Sequence, residues 1–347
     1  MTMHYRRPRA LVPGDTVAVV SPSWGGPHAF PHIYQQGVAV LRGWGLRVRE
    51  YPSTLMPNAE LAANPALRAT DINDAFGDDS IAAVFASIGG DDSMRILPYL
   101  DAQRIGQAPK ILMGYSDTTT LLTAIHMMGM VTFHGPSVMA GIAQHSSQSA
   151  ATRSHVHTML FGHHDQYTYH AATHYSNGYR DWADESQPNG LAEQHYSRGW
   201  QFLQGRGVVT GQLFGGCIEV LEFLKGTAFW PHPGFWHGKI LFLETSEEKP
   251  TILQVTRWLR NYGLMGALHD ISALLIGRPR DYTLSEQLAL DAAVLRVVHT
   301  EFGVDQLPII TNFDVGHTEP QRILPLGVRA EVDCTAMTVR LIEQWLR

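Results

Sequence analysis

Cysteine is nearly absent: Cys217 and Cys334 are the only two in 347 residues. Two thiols make no disulfide framework, and a reducing cytoplasm is the simplest setting for such a chain. Both read as small buried hydrophobes. Charged residues are sparse at 17%, the formal net charge is -6, and no long basic run occurs. A nucleic-acid polymer is therefore not an expected partner. No apolar stretch reaches the ~20 residues that span a bilayer, so no membrane partner is expected either. The opening MTMHYRRPRALVPGD carries basic residues without an apolar segment or small-residue cleavage site behind them, which does not read as a signal peptide. Neither G-x-x-x-x-G-K-[ST] nor G-x-G-x-x-G is present, and the chain calls for no cofactor.

What remains is an ordinary enzyme-like composition, 44% apolar over a length sufficient for two cored domains. From Thr16 to Val138 the pattern alternates short apolar strands with helical spacing: TVAVVSPS, FPHIYQQGVAVLRGWG, LRVREY, ALRATDINDAFGDD, IAAVFASIGG, SMRILPYLD, KILMGYSD and TTLLTAIHMMG, with VTFHGPSV as a further strand. Continuous apolar strands between helices predict a parallel sheet covered on both faces. Ligands bind such sheets beyond the carboxyl ends of the strands. Residues 141–206 differ: they are polar, aromatic and rich in His, and read as a connection that folds over the site. Regular patterning returns at 207, with KILFLETSEE, ISALLIGRP and LPIITNFDVGH as strands, TILQVTRWLRNYGLM as an amphipathic helix, and β ribbons at the end. The expected division is an α/β domain at 1–140, the connection at 141–206 and a second α/β unit at 207–347.

Three side chains stand at strand ends. Ser116 follows KILMGY and precedes a helix, where free backbone N–H groups attract developing negative charge. It is either a helix cap or a nucleophile, and a nucleophilic serine needs a base. His317 sits in a Gly-His turn after LPIITNFDVG, and imidazole is the common proton shuttle near neutrality. Glu244 ends LFLE; an acid after three apolar residues is desolvated unless paired, and can orient a histidine. Glu247 and Glu248 are rivals for that role, lying further into the turn. Gly89-Gly90-Asp91-Asp92 follows IAAVFASI, and paired glycines let backbone approach a ligand. That motif suits half of an oxyanion hole or a nucleotide kinase loop, and a non-catalytic binding module is a third option. His155-x-His157 and His163-His164 lack the spacing of familiar zinc sites, so no metal is expected.

Taken in order, SIGGDDSMRILPYLD, ILMGYSDTTTLLTAIH, GQLFGGCIEVLEFLKGT, ILFLETSEE, IGRP and NFDVGHTEP resemble the LD-carboxypeptidase family of serine peptidases, family S66. The Gly-Gly-Asp-Asp and Glu-Thr-Ser-Glu-Glu forms and the long Trp-containing connection look closer to its microcin C immunity branch than to its murein-recycling branch. The resemblance implies a Ser116 nucleophile, a Glu244 acid and a His317 base. It implies oxyanion donors from the N–H of Asp117 and of Gly90, with Gly89 and Asp91 beside the substrate. It also implies a flavodoxin-like N-terminal domain, a smaller swivelling β/α C-terminal domain and a cytoplasmic homodimer. The implied reaction is hydrolysis of an amide in a small peptide or aminoacyl-nucleotide. A loop tryptophan stacking on a nucleotide base is part of that picture, with Trp182 first and Trp200 second.

Overall fold

The structure, a computed structural model, describes residues 4–184, 186 and 189–347. Its strands are β1 (Thr16–Val20), β2 (Arg47–Glu50), β3 (Ile81–Ala86), β4 (Ile111–Gly114), β5 (Thr132–His134), β6 (Tyr167–Tyr169), β7 (His174–Ser176) and β8 (Gln194–Tyr196). They continue with β9 (Gln201–Gln204), β10 (Val208–Cys217), β11 (Lys239–Glu244), β12 (Ala273–Gly277), β13 (Ile309–Phe313), β14 (Leu324–Leu326), β15 (Arg329–Asp333) and β16 (Thr338–Leu341).

The first sheet runs β14-β5-β4-β3-β1-β2, and β2, β1, β3, β4 and β5 are mutually parallel. That 2-1-3-4-5 order is the flavodoxin-like one. Every residue of β3 and β4 is buried, as an uninterrupted apolar run requires of a strand covered on both faces. The second sheet runs β6-β16-β15-β10-β11-β12-β13-β9. Its centre, β10 to β13, is parallel; β15, β16, β6 and β9 join antiparallel. Leu241, Phe242 and Leu243 in β11 are fully buried, each contributing roughly 1.5–3 kcal/mol relative to exposure. Helix Ile252–Leu264 starts with a Thr251/Gln254 capping box and buries Val255 and Leu259.

Two features lie outside the sequence expectations. The connection is less irregular than its composition suggests. β6 and β9 are the two edges of the second sheet, and β7 pairs with β8 as a separate ribbon. The second sheet consequently has eight strands against six in the first. RILPLG is not part of a C-terminal ribbon: β14 crosses over and pairs antiparallel with β5, Leu324 opposite His134. Both placements depend on pairing between residues far apart in the chain, which local alternation does not specify.

Candidate active site

The carboxyl ends of the two parallel sheets meet. Cys217 N–H, at the end of β10, donates to Thr119 Oγ1 at 3.2 Å. A Cβ on Gly216 would strike the Thr119 side chain, so a small residue is required at that crossing. The Tyr115 ring lies 4.9 Å from the His317 ring, and His134 Nε2 lies 3.7 Å from Glu244 Oε1.

Ser116 ends the short turn after β4. Its φ is +59°, a left-handed conformation that a non-glycine residue adopts at a cost. Residues Ser116–Thr118 form one 3-10 turn that passes into helix Thr119–Met127. A serine on a strained strand-to-helix turn is lifted above the sheet with its hydroxyl exposed. Gly89 is buried against it: a Cβ there would lie 2.8 Å from Ser116 Cβ and 2.9 Å from Oγ. Gly90, at φ +146°, is exposed and would clash with Ser23 if it carried a side chain. The Asp117 carboxylate is buried and accepts the Ser93 N–H at 2.8 Å, which ties the glycine loop to the Ser116 turn. The Asp117 and Gly90 N–H groups are not engaged by other described residues. Asp91 is exposed, while the Asp92 carboxylate is taken by Arg68 at 2.6 Å and Arg95 at 3.0 Å.

Glu244 and His317 come from different strands and meet in the interior. His317 Nδ1–H donates to Glu244 Oε2 at 2.8 Å. Gly316, at φ +99°, allows the turn: a Cβ there would collide with Glu244 Oε2. The turn is held by Arg278, the arginine of IGRP, which is fully buried. It pairs with Asp314, donates to Asn312 Oδ1 at 3.1 Å, and lies 4.6 Å from the Tyr175 ring centroid. Buried charges persist only when paired and hydrogen-bonded, and this cation has all three kinds of partner.

The other side of the imidazole is also occupied. His317 Nε2 stands 3.0 Å from Glu247 Oε2. No hydrogen bond joins Ser116 to His317 among the described residues. Burial by itself lowers the His317 pKa; the charge and hydrogen bond of Glu244 and the nearby Glu247 carboxylate overturn that and push it up to about 10. The nearby His317 ring holds Glu247 down, at about 2. Burial raises Glu244. His134, behind Glu244, is driven down to about 3 by burial and then by His317, and is neutral.

The connection brings its aromatic residues over this site unevenly. Tyr179 O–H donates to the buried Glu319 at 2.6 Å and lies within electrostatic reach of Tyr115. Trp182 stacks on Tyr179 at 6.0 Å and meets Phe30 of the N-terminal half edge-on at 5.7 Å. Its Nε1 is buried without a partner among the described residues. Trp200 is differently placed: Nε1 donates to Asp314 Oδ2 at 2.9 Å and the ring packs 4.4 Å from Phe313. Its contacts are with the second sheet rather than with the Ser116 turn. Glu247 was read as a solvated rival of Glu244; it is exposed, yet it reaches the histidine. Tyr115, His134, Tyr179 and Glu319 were not singled out. A histidine inside the apolar VTFHGPSV was the one available signal among them. A cavity of about 650 Å³ lined by His232, His237, Lys239 and Arg329 opens at the opposite end of β11, and no sequence-selected residue lines it.

Among the described residues no cluster of three or more His, Cys, Asp or Glu is arranged to hold a metal, and no helix is long and apolar enough to cross a membrane.

The LD-carboxypeptidase N-terminal domain matches residues 17–135 and the LD-carboxypeptidase C-terminal domain matches residues 210–332. The chain is 29% identical to a probable murein peptide carboxypeptidase of Bacillus subtilis, over 97% of this chain and 94% of that protein. It is 28% identical to the microcin C7 self-immunity protein MccF of Escherichia coli, over 97% and 95%. The structure of MccF in complex with glutamyl sulfamoyl guanosine superposes with a TM-score of 0.87 at 26% identity, covering 98% of this chain and 99% of that one. A MccF-like protein from Streptococcus pneumoniae in complex with AMP gives a TM-score of 0.82 at 30% identity, covering 94% and 98%.

Proposed function

The chain belongs to the LD-carboxypeptidase family, a family of serine hydrolases, and we propose that it cleaves an amide through an acyl-enzyme on Ser116. The observation that carries the reading is the buried 2.8 Å bond between His317 Nδ1 and Glu244 Oε2. It fixes the ring so that Nε2 is the nitrogen left for the proton of Ser116.

In this reading Ser116 Oγ attacks the amide carbonyl while Nε2 of His317 takes its proton. Glu244 holds the tautomer and stabilises the imidazolium. The N–H groups of Asp117 and Gly90 bind the oxyanion, each worth ~2.7–4 kcal/mol of barrier in comparable sites. The leaving amine recovers the proton from His317, and water then clears the acyl group by the same steps in reverse order. The engagement of Asp92 with Arg68 and Arg95 weighs against a kinase role for Gly-Gly-Asp-Asp, since that carboxylate is already neutralised.

For the substrate we infer an aminoacyl-nucleotide amide. Relatives solved with glutamyl sulfamoyl guanosine and with AMP support it, and so does the Trp182–Tyr179 stack, which offers a planar face and an N–H without a partner among the described residues. The name of the Bacillus subtilis relative supports a murein LD-peptide as the second reading. Purified protein assayed on both substrates decides between them. Ser116→Ala is expected to lower turnover by about 10⁴-fold or more and to abolish labelling by a fluorophosphonate probe. Near-wild-type turnover in that variant would remove the proposal.

A further inference from the structure

The atom that this mechanism needs free has a carboxylate against it. Glu247 Oε2 lies 3.0 Å from His317 Nε2, an ion pair by distance without hydrogen-bond alignment, while Glu244 holds Nδ1. The two partners differ in their freedom to move: the Glu247 side chain is 54% exposed, that of His317 only 4%. The backbone beneath Glu247 is fixed. Glu219 Oε1 accepts the Ser246 N–H at 3.0 Å and its O–H at 2.7 Å, and the Glu248 N–H donates to Ser246 Oγ at 3.2 Å. A fixed turn with a solvent-exposed side chain can turn that side chain away without rebuilding the loop.

Charges around the ring set the cost of that movement. Glu244 faces Nδ1, with neutral His134 behind it, and Tyr115 covers the ring face. Arg280, on the loop after β12, lies within electrostatic reach of Glu247, beside Asp281 at 3.4 Å. While both carboxylates engage it, the imidazole keeps its proton and accepts nothing from Ser116. Once Glu247 departs, the ring has one carboxylate and a free Nε2. The displaced carboxylate then sits at the mouth of a site filling with substrate, near Arg280, where covering an anion is costly unless a cation meets it.

Resting on the Ser116–His317–Glu244 reading, we propose that Glu247 is a specificity-determining plug on the base. It sits against Nε2 and leaves when a substrate bearing a free ammonium group receives its carboxylate. The favoured class is an amide with an unblocked amine near the scissile bond, such as an aminoacyl or diamino-acid conjugate, over the same amide with that amine acylated.

Two readouts test this with the intact protein. The first is the rate of fluorophosphonate labelling of Ser116 across pH, which needs the base and no cationic substrate. Wild type is expected to label slowly at about pH 7 and faster as the pH rises. Glu247→Ala and Glu247→Gln are expected to label about tenfold faster at that pH, with the rising limb moved down by about one pH unit or more. The sign follows from losing an anion that favours the protonated ring. The second is the ratio of kcat/KM for an amide with a free ammonium to kcat/KM for its N-acetyl form, expected to fall about tenfold in Glu247→Ala. An unmoved pH profile with an unchanged ratio, or slower labelling in both variants, overturns the plug and leaves the triad standing. If wild type and both variants fail to label at any pH, the triad reading falls and the plug with it.

Discussion

The Ser116 turn and the His317 turn reach the same cleft by different construction. At Ser116 the chemistry is mostly local: a strand end, a residue at φ +59°, a 3-10 turn and a helix follow within a dozen residues, with the Gly89-Gly90 loop and Ser93 closing in from elsewhere. At His317 it is assembled from separate strands, with Glu244 from β11, Arg278 after β12 and Asp314 after β13. The first turn stores its function in backbone conformation, the second in side-chain pairing. Backbone geometry fails when volume is added near it, whereas a side-chain pair fails when one partner loses its charge.

That contrast can be broken at either end. The largest expected effect is on the pairing side. Glu244→Gln keeps the volume but removes the charge that fixes the imidazole tautomer; kcat should fall by about 10⁴-fold with KM little changed, measured by steady-state kinetics. A loss below about tenfold would mean that the Nδ1 contact is structural only. Next comes Gly89→Ala on the backbone side. The added methyl meets Ser116 Cβ at 2.8 Å, so the turn must shift, and kcat should drop about a hundredfold while the fold, followed by circular dichroism, survives. Unchanged kcat would show that the glycine pair tolerates side chains and that its closeness to Ser116 is incidental. The smallest effect is expected over the cleft. Trp182→Ala should raise KM for an aminoacyl-nucleotide by about tenfold through lost stacking, with kcat nearly constant. An equal rise for a nucleotide-free peptide substrate would assign Trp182 to packing against Phe30 instead.

The same contrast explains what could be read in advance. Ser116, Glu244 and His317 each follow an apolar strand and carry an abrupt polar signal, so strand-end reasoning reaches them one at a time. The parallel core of both sheets is legible for the same reason, since β3, β4 and β11 are continuous buried runs. What escaped depends on partners remote in sequence. Glu247 looks like any solvated turn acid until folding sets it against Nε2. Tyr179 and Glu319 form a hydrogen-bonded pair beside Tyr115 whose members are unremarkable singly. Trp182 and Trp200 share a segment and a residue type, yet one meets Phe30 and the other binds Asp314, because β9 carries Trp200's neighbourhood into the second sheet.

The crossing of β14 sets the order in which the molecule is completed. As the ribosome extends the chain, β5 emerges with one edge unpaired, and its neighbour is not made until the polymerised length reaches Leu324–Leu326. At typical translation speeds that interval is roughly ten to forty seconds. An exposed strand edge during that time is an invitation to other nascent chains, so the newborn N-terminal half needs shielding until its own tail arrives to close it.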